Sequence, residues 1–139
     1  MDKISIRKTD NEDLIYRLHT RIFPDDDFYY HNNNYYWLVN KGDKVVGFCI
    51  ATIWTANRYI FLSRAGVIVS ERGRNLQRRM IRVREQFARR NNINLLLTYV
   101  KKDNIPSFVN LIKTGYIVYN PQYPYAESDC FYLKKRLDC

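Results

Sequence analysis

The residues from Val67 to Gln77 run Val-Ile-Val-Ser-Glu-Arg-Gly-Arg-Asn-Leu-Gln: a β-branched run, a glycine between two arginines, then the start of a basic helix. A strand passing through a short glycine turn into a helix aims several unpaired backbone N–H groups and the positive helix end at one place. Such a place binds an anion, and a diphosphate suits its size and charge. Eight arginines fall between Arg72 and Arg90 against only Glu71 and Glu85, so this is the electropositive segment of a chain with net charge +9. A strand-turn-helix with one glycine is also a common plain connection, so the junction needs support from elsewhere.

A second polar start lies at Asp103-Asn104-Ile105-Pro106-Ser107, ahead of an apolar helix pattern that stops at Gly115. Negative charge gathers at Asp25-Asp26-Asp27 and again at Glu127-Ser128-Asp129. Alone, the triplet reads as a turn and helix cap. Cysteines 49, 130 and 139 are odd in number and form no paired C-x-x-C spacing, and His19 and His31 are the only histidines. No disulfide framework, zinc site or other metal is expected, nor is a Cys/His nucleophilic pair. Cys49, in an apolar run, reads as a small buried hydrophobe.

The elements that must position these residues follow from periodicity. Ile4 and Ile6 alternate with polar residues as a short first strand. Thr9-Asp10-Asn11-Glu12 reads as a capping box opening a helix with Leu14, Leu18 and Ile22 inward and Pro24 closing it. Residues 25 to 34 form a loop, with Tyr29 and Tyr30 as pocket candidates. The tyrosines and tryptophan at 35, 36 and 37 are in part strand core, since alternation buries every second one. Strands at 35–40 and 44–54 flank the hairpin signal Lys41-Gly42-Asp43, and 58–69 forms a third antiparallel strand in which Gly66 weakens the pleat or marks a bulge. From Leu76 the period becomes helical, with Leu76, Met80, Val83 and Phe87 on one face. The run 93–100 reads as a central strand buried on both faces, in a parallel pairing. A helix from Asn104 then places Phe108, Leu111 and Ile112 inward, and strands at 116–119 and 128–137 close the chain.

The order is thus β-α-loop-β-β-β-α-β-α-β-β, a single α/β (α+β) domain over 1–139 with a mixed, mostly antiparallel sheet of about seven strands. Residues 44 to 119 resemble the core of the GNAT N-acetyltransferases. Two motifs carry the resemblance: Arg72-Gly-Arg-Asn-Leu-Gln77, like the family's Arg/Gln-x-x-Gly-x-Gly/Ala loop, and Asp103 to Tyr116, like its Asn-helix-Gly-aromatic segment. The outer elements match in order only.

The resemblance implies acetyl-CoA as co-substrate. Val67 and Val69 would offer strand backbone to its pantetheine arm, and Arg72, Gly73, Arg74, Asn75, Leu76, Gln77 and Arg78 would cradle its diphosphate. Asn104 and Ser107 would face its thiol end. Asn75 stands in place of the middle glycine, and asparagine tolerates a left-handed conformation better than other non-glycine residues. Gln77 replaces the last small residue. Leu111 stands where many members carry a tyrosine that protonates the leaving thiolate. A backbone N–H on the strand bearing Gly66 and Val67 would polarise the thioester carbonyl. Family geometry also puts the Asp triplet and Glu127-Ser128-Asp129 at one mouth, which suits a cationic amine; Glu127 and Asp27 are the candidate bases and Tyr119 the candidate proton donor.

The rival reading is a nucleic-acid-binding protein of the same fold, or one acylating a nucleic-acid or ribosomal acceptor, through arginines 78, 79, 82, 84, 89 and 90. A solvated helix face is the commoner reason for such a run. The longest uncharged apolar stretch, Val45 to Trp54, is too short to span a bilayer, and the first residues lack a secretory pattern, so a cytosolic protein, monomer or homodimer, is expected.

Overall fold

A computed structural model describes residues 3–54, 56, 58–73, 75–126 and 129–138. Strand β1 (Ile4–Thr9), helix α1 (Glu12–Ile22), strands β2 (Asn34–Lys41), β3 (Lys44–Trp54) and β4 (Tyr59–Val67), helix α2 (Leu76–Arg90), strand β5 (Leu95–Lys101), helix α3 (Ile105–Lys113), and strands β6 (Ile117–Tyr119) and β7 (Cys130–Arg136) follow in that order. The seven strands form one sheet in the order β1-β2-β3-β4-β5-β7-β6. Every neighbouring pair is antiparallel except β4 with β5, which is parallel. No helix among the described residues is long and apolar enough to cross a membrane.

Strand alternation sorts the core onto two faces. Trp37, Val39, Cys49, Ala51, Leu62 and Leu96 pack with Leu76, Met80, Ile81 and Ala88 of α2 and Leu111 of α3. The residues between them, Tyr36, Phe48 and Ile50, pack on the opposite face with Ile15 and Leu18 of α1. Cys49 is fully buried, and burial raises its thiol pKa to about 11, so it is core and not a nucleophile.

Four local expectations are corrected. The cap of α1 is Asn11, whose side chain accepts from the Leu14 N–H, while Thr9 Oγ1 accepts from the Asn11 N–H. The buried stripe of α1 is Ile15, Leu18 and His19, with Leu14 and Ile22 at its margins. Strand β5 is buried on one face only, through Leu96, Thr98 and Val100, while Tyr99 on the other face is 40% exposed. Strand β4 ends at Val67, and Val69 opens a single 3-10 turn, Val69–Glu71.

The chain departs from regular pairing at one place that matters. Between Cys49↔Ala65 and Ala51↔Leu62, β3 advances two residues and β4 three, so β4 bulges at Ser63 and Arg64. Gly66 is not the bulge residue; a Cβ there would lie 2.7 Å from the Phe23 ring, so glycine lets the end of α1 sit on β4. Arg84 of α2, only 3% exposed, donates Nη1 to the carbonyls of Ile50 (3.0 Å) and Ser63 (3.2 Å). These carbonyls flank the bulge, and the guanidinium supplies the donor that the interrupted ladder does not.

Candidate functional site

The parallel ladder of β4 with β5 is short, pairing only Ile60↔Leu96 and Phe61↔Leu97. Thr98 Oγ1 then donates to the Leu62 carbonyl at 3.0 Å, the last bond before the two strands part. Beyond it β4 continues to Val67 and turns into α2. The wedge between the strands is therefore walled by β4 backbone and headed on the α2 side by two helix starts.

At the first helix start, Gly73 has φ +88° and nothing within 4 Å of where its Cβ would be. Asn75 follows in the left-handed region at φ 61°, ψ 21°, and its side chain makes no cap bond. Its carbonyl takes the first helical bond, from the Arg79 N–H at 3.2 Å. The N–H groups of the first turn thus face outward beside an open glycine. Glu71, the one acid of the turn, is buried against Lys41 at 3.3 Å, which keeps the local field positive. An uncapped start of this kind can take an anion of the size of a diphosphate, and Gly73, Asn75, Leu76, Gln77 and Arg78, all singled out from sequence, lie at it. Arg74 lies outside the described residues. Arg72 folds back, its Nε donating to the Val67 carbonyl at 3.1 Å.

The second helix start is closed. Asn104 Oδ1 accepts from the Ser107 N–H at 3.4 Å and so caps α3. Ser107 Oγ accepts from Gln77 Nε2 at 2.7 Å, Asn110 Nδ2 donates to Gln77 Oε1 at 2.7 Å, and Arg78 Nε donates to Asn110 Oδ1 at 2.9 Å. Four residues thereby lock the two starts side by side, and three of them, Gln77, Arg78 and Ser107, are among those singled out from sequence. Val69 is a correction: at 75% exposed, in the turn, it offers no strand backbone. Leu111, at 5% exposed, is part of the core and presents no group to the wedge.

On the α1 side, Phe61, Tyr99, Tyr125 and Tyr132 surround the sheet surface next to the wedge, with ring centroids 4.9 to 6.1 Å apart. Tyr132 Oη also accepts from the Ala126 N–H at 2.9 Å, which fixes the β6–β7 connection. Burial, with a bond to Tyr119, pushes the Tyr125 hydroxyl pKa well up, so it stays protonated. Tyr119 itself sits on β6, separated from the wedge by β5 and β7. Nearer, Ser63 Oγ lies 2.8 Å from Thr52 Oγ1, which is 2.6 Å from Asn34 Oδ1. Asn34 Nδ2 reaches Tyr36 Oη at 3.3 Å, and Tyr36 donates to Glu12. Burial first and the bond to Glu12 second raise the Tyr36 pKa to about 12.

The acids expected at the acceptor mouth are paired or exposed. Asp26 pairs with Arg64 at 2.8 Å and Asp129 with Lys102 at 3.0 Å, while Asp25 and Asp27 are exposed. Glu127 lies outside the described residues. Tyr29 and Tyr30 are 69% and 61% exposed, and Tyr30 borders an open surface groove with Glu12, His31 and Asn32 to Asn34. Of the six arginines offered for nucleic acid, Arg84 is buried, Arg78 is bonded to α3 and Arg79 reaches the Ile4 carbonyl at 3.3 Å.

The residues missed from sequence are Asn34, Thr52, Ser63, Tyr125 and Tyr132, and Arg84 was singled out for another role. Thr52 and Ser63 carried a signal, as polar residues inside apolar strands; the wedge did not, because strand patterns do not tell where two strands part.

Comparisons with known proteins bear on the family and the fold. The chain matches the Acetyltransferase (GNAT) family over residues 5–116. No curated protein matches the sequence. Among solved structures, an IAA acetyltransferase from Bacillus cereus superposes with TM-score 0.81 at 13% identity, covering 97% of this chain and 100% of that one. A GNAT family acetyltransferase from Elizabethkingia anophelis with acetyl-CoA bound gives 0.79 at 12% identity, covering 99% and 100%. The ribosomal-protein-S18-alanine N-acetyltransferase from Escherichia coli gives 0.79 at 12%, covering 99% and 96%.

Proposed function

Since the chain belongs to the acetyltransferase (GNAT) family, whose members are acyl-CoA-dependent enzymes, we propose that it transfers the acetyl group of acetyl-CoA to a cationic amine. The observation that carries the reading is the α2 start: an uncapped first turn, a left-handed Asn75 and an open Gly73, at the mouth of a wedge between parallel strands. Gly73 to Arg78 would hold the diphosphate by backbone N–H groups and the helix end. The β4 backbone beyond Leu62 would lie along the pantetheine and give an N–H to the thioester oxygen as charge develops on it.

Acetyl-CoA supplies the activated acyl group, whose thiol leaving group has an ordinary pKa of about 8.5 and leaves without a strong acid. The chain's own part is alignment, which can supply roughly 7 to 11 kcal/mol of a barrier. Aromatic faces at Phe61, Tyr99, Tyr125 and Tyr132 suit an ammonium group by cation–π attraction and its alkyl chain by apolar contact. A small polyamine or a lysine-like side chain is the acceptor class with both properties.

Titrating acetyl-CoA calorimetrically and by thermal shift tests the first half. Saturation should raise the melting temperature, by about 2.7 kcal/mol of stabilisation at a hundred times the dissociation constant. No shift at millimolar acetyl-CoA would remove the enzyme reading. Release of free thiol with spermidine present, and less with a neutral amine, tests the second half.

A further inference from the structure

The hydrogen bonds that end at Ser63 have a direction, and it follows from groups able to play only one part. The Tyr29 carbonyl can only accept, so the Asn34 atom 3.1 Å from it is the amide nitrogen. Asn34 Oδ1, which can only accept, therefore faces Thr52, whose hydroxyl donates to it at 2.6 Å. Thr52 has a single hydroxyl hydrogen. That hydrogen is spent, so in the 2.8 Å contact between Thr52 and Ser63 the donor is Ser63. The far end agrees: the second Asn34 amide hydrogen goes to Tyr36 Oη, and Tyr36 donates to the Glu12 carboxylate, an acceptor only. Ser63 has given its one hydrogen inward, and lone pairs are what it has left.

Its position gives those lone pairs a use. Ser63 is the first residue of β4 past Leu62, whose carbonyl takes the last bond from β5, and its side chain lies on the α1 face beside Phe61. It is half-buried, Thr52 behind it is 5% exposed, and Arg84 holds its carbonyl from the other face. We propose that Ser63 is an obligate hydrogen-bond acceptor at the acceptor side of the wedge, which takes an N–H of the incoming amine and so positions its nitrogen. The proposal rests on the acetyl-transfer reading and names a specificity residue within it. A neutral primary amine can give one N–H to Ser63 and keep its lone pair free, whereas an ether or carbonyl oxygen placed there would meet Ser63 lone pair to lone pair. Ser63 takes no proton from the amine; it is a positioning residue.

Kinetics with spermidine as the probe, at saturating acetyl-CoA, compare the wild type with Ser63→Ala, Thr52→Val and the double variant. Ser63→Ala should raise the spermidine KM about two- to tenfold, the usual weight of a hydrogen bond between uncharged groups, and leave the acetyl-CoA KM unchanged. Thr52→Val frees the Ser63 hydrogen to turn outward and should raise the spermidine KM several-fold. In the Ser63→Ala background it should add nothing to that KM, even if it lowers the melting temperature further. Additive effects on the spermidine KM, or an acetyl-CoA KM that moves with it, would overturn the proposal in favour of a structural role. Neutron diffraction from deuterated protein tests the direction with no acceptor: the Ser63 deuteron should point at Thr52 Oγ1, and a deuteron on Thr52 directed at Ser63 overturns the proposal. If the wild type binds acetyl-CoA but does not turn over spermidine, the polyamine reading falls and the neutron map decides Ser63 alone.

Discussion

Helices α2 and α3 both begin at an asparagine, and the two asparagines do opposite things. Asn104 has φ −88°, and its side chain turns back to accept from Ser107, with Pro106 in the first turn. Asn75 has φ 61°, and its side chain caps nothing. In the first case the side chain occupies the place an anion would take, and the helix end is satisfied. In the second the left-handed twist after Gly73 carries the side chain off and leaves the first turn bare. A capped end is finished structure; a bare one next to empty space, kept positive by the Lys41–Glu71 pair, is suited to a ligand.

The largest effect that would break this contrast comes from placing one charge at both starts. Gly73→Glu puts a carboxylate and a strained left-handed residue against the diphosphate position and should abolish the acetyl-CoA-induced thermal shift. Asn104→Asp puts the same charge at the other start, where aspartate is as good a cap as asparagine, and should leave the shift in place. Equal losses from both, measured by calorimetry, would mean that both starts face the phosphates.

The next effect concerns the body of α3. Sequence resemblance sets Leu111 where a tyrosine would meet the cofactor sulfur, but the side chain is core. Leu111→Tyr should therefore overpack, lowering stability by about 1 to 3 kcal/mol. It should not speed turnover at pH 7 relative to pH 9. A gain in rate confined to the lower pH, with the melting temperature held, would show that the position reaches the thiol.

Element order was legible throughout, because the apolar run Ile93–Val100, the helical period of Leu76–Phe87 and the Lys41-Gly42-Asp43 turn each carry a local signal. The faces were less so, and α2 shows why. Its apolar residues suggest a stripe through Leu76, Met80, Val83 and Phe87, whereas the buried stripe is Leu76, Met80, Ile81, Arg84, Glu85 and Ala88. Two charged residues displaced the pattern by entering the core with partners distant in sequence: Arg84 with the β3 and β4 carbonyls, and Glu85 with Tyr116 Oη at 2.8 Å and Lys135 Nζ at 3.2 Å. Polarity told of exposure only until the partners were known. The α2 cradle was legible because it depends on local backbone, and the Ser63 chain was not, because it joins α1, β2, β3 and β4 across 51 positions from Glu12 to Ser63.

The smallest effect gives the sharpest form of the contrast, because alanine at either asparagine should cost about the same stability for different reasons. At Asn104, alanine loses the cap, about 1 kcal/mol. At Asn75 no cap is lost, but alanine bears the left-handed penalty, 1–2 kcal/mol against an unstrained residue and less against asparagine, which itself carries part of it. Melting temperatures alone would make the two variants twins. Acetyl-CoA affinity should separate them, since relaxing the twist at position 75 re-aims the first-turn N–H groups, while removing the Asn104 side chain leaves the α2 start as it was. Affinity is expected to fall several-fold for Asn75→Ala and to stay within about twofold for Asn104→Ala, a difference of about 1 kcal/mol in binding. The reverse order would make the Asn104 side chain a contact to the cofactor, as the family resemblance implies, and its bond to Ser107 an arrangement that the ligand displaces.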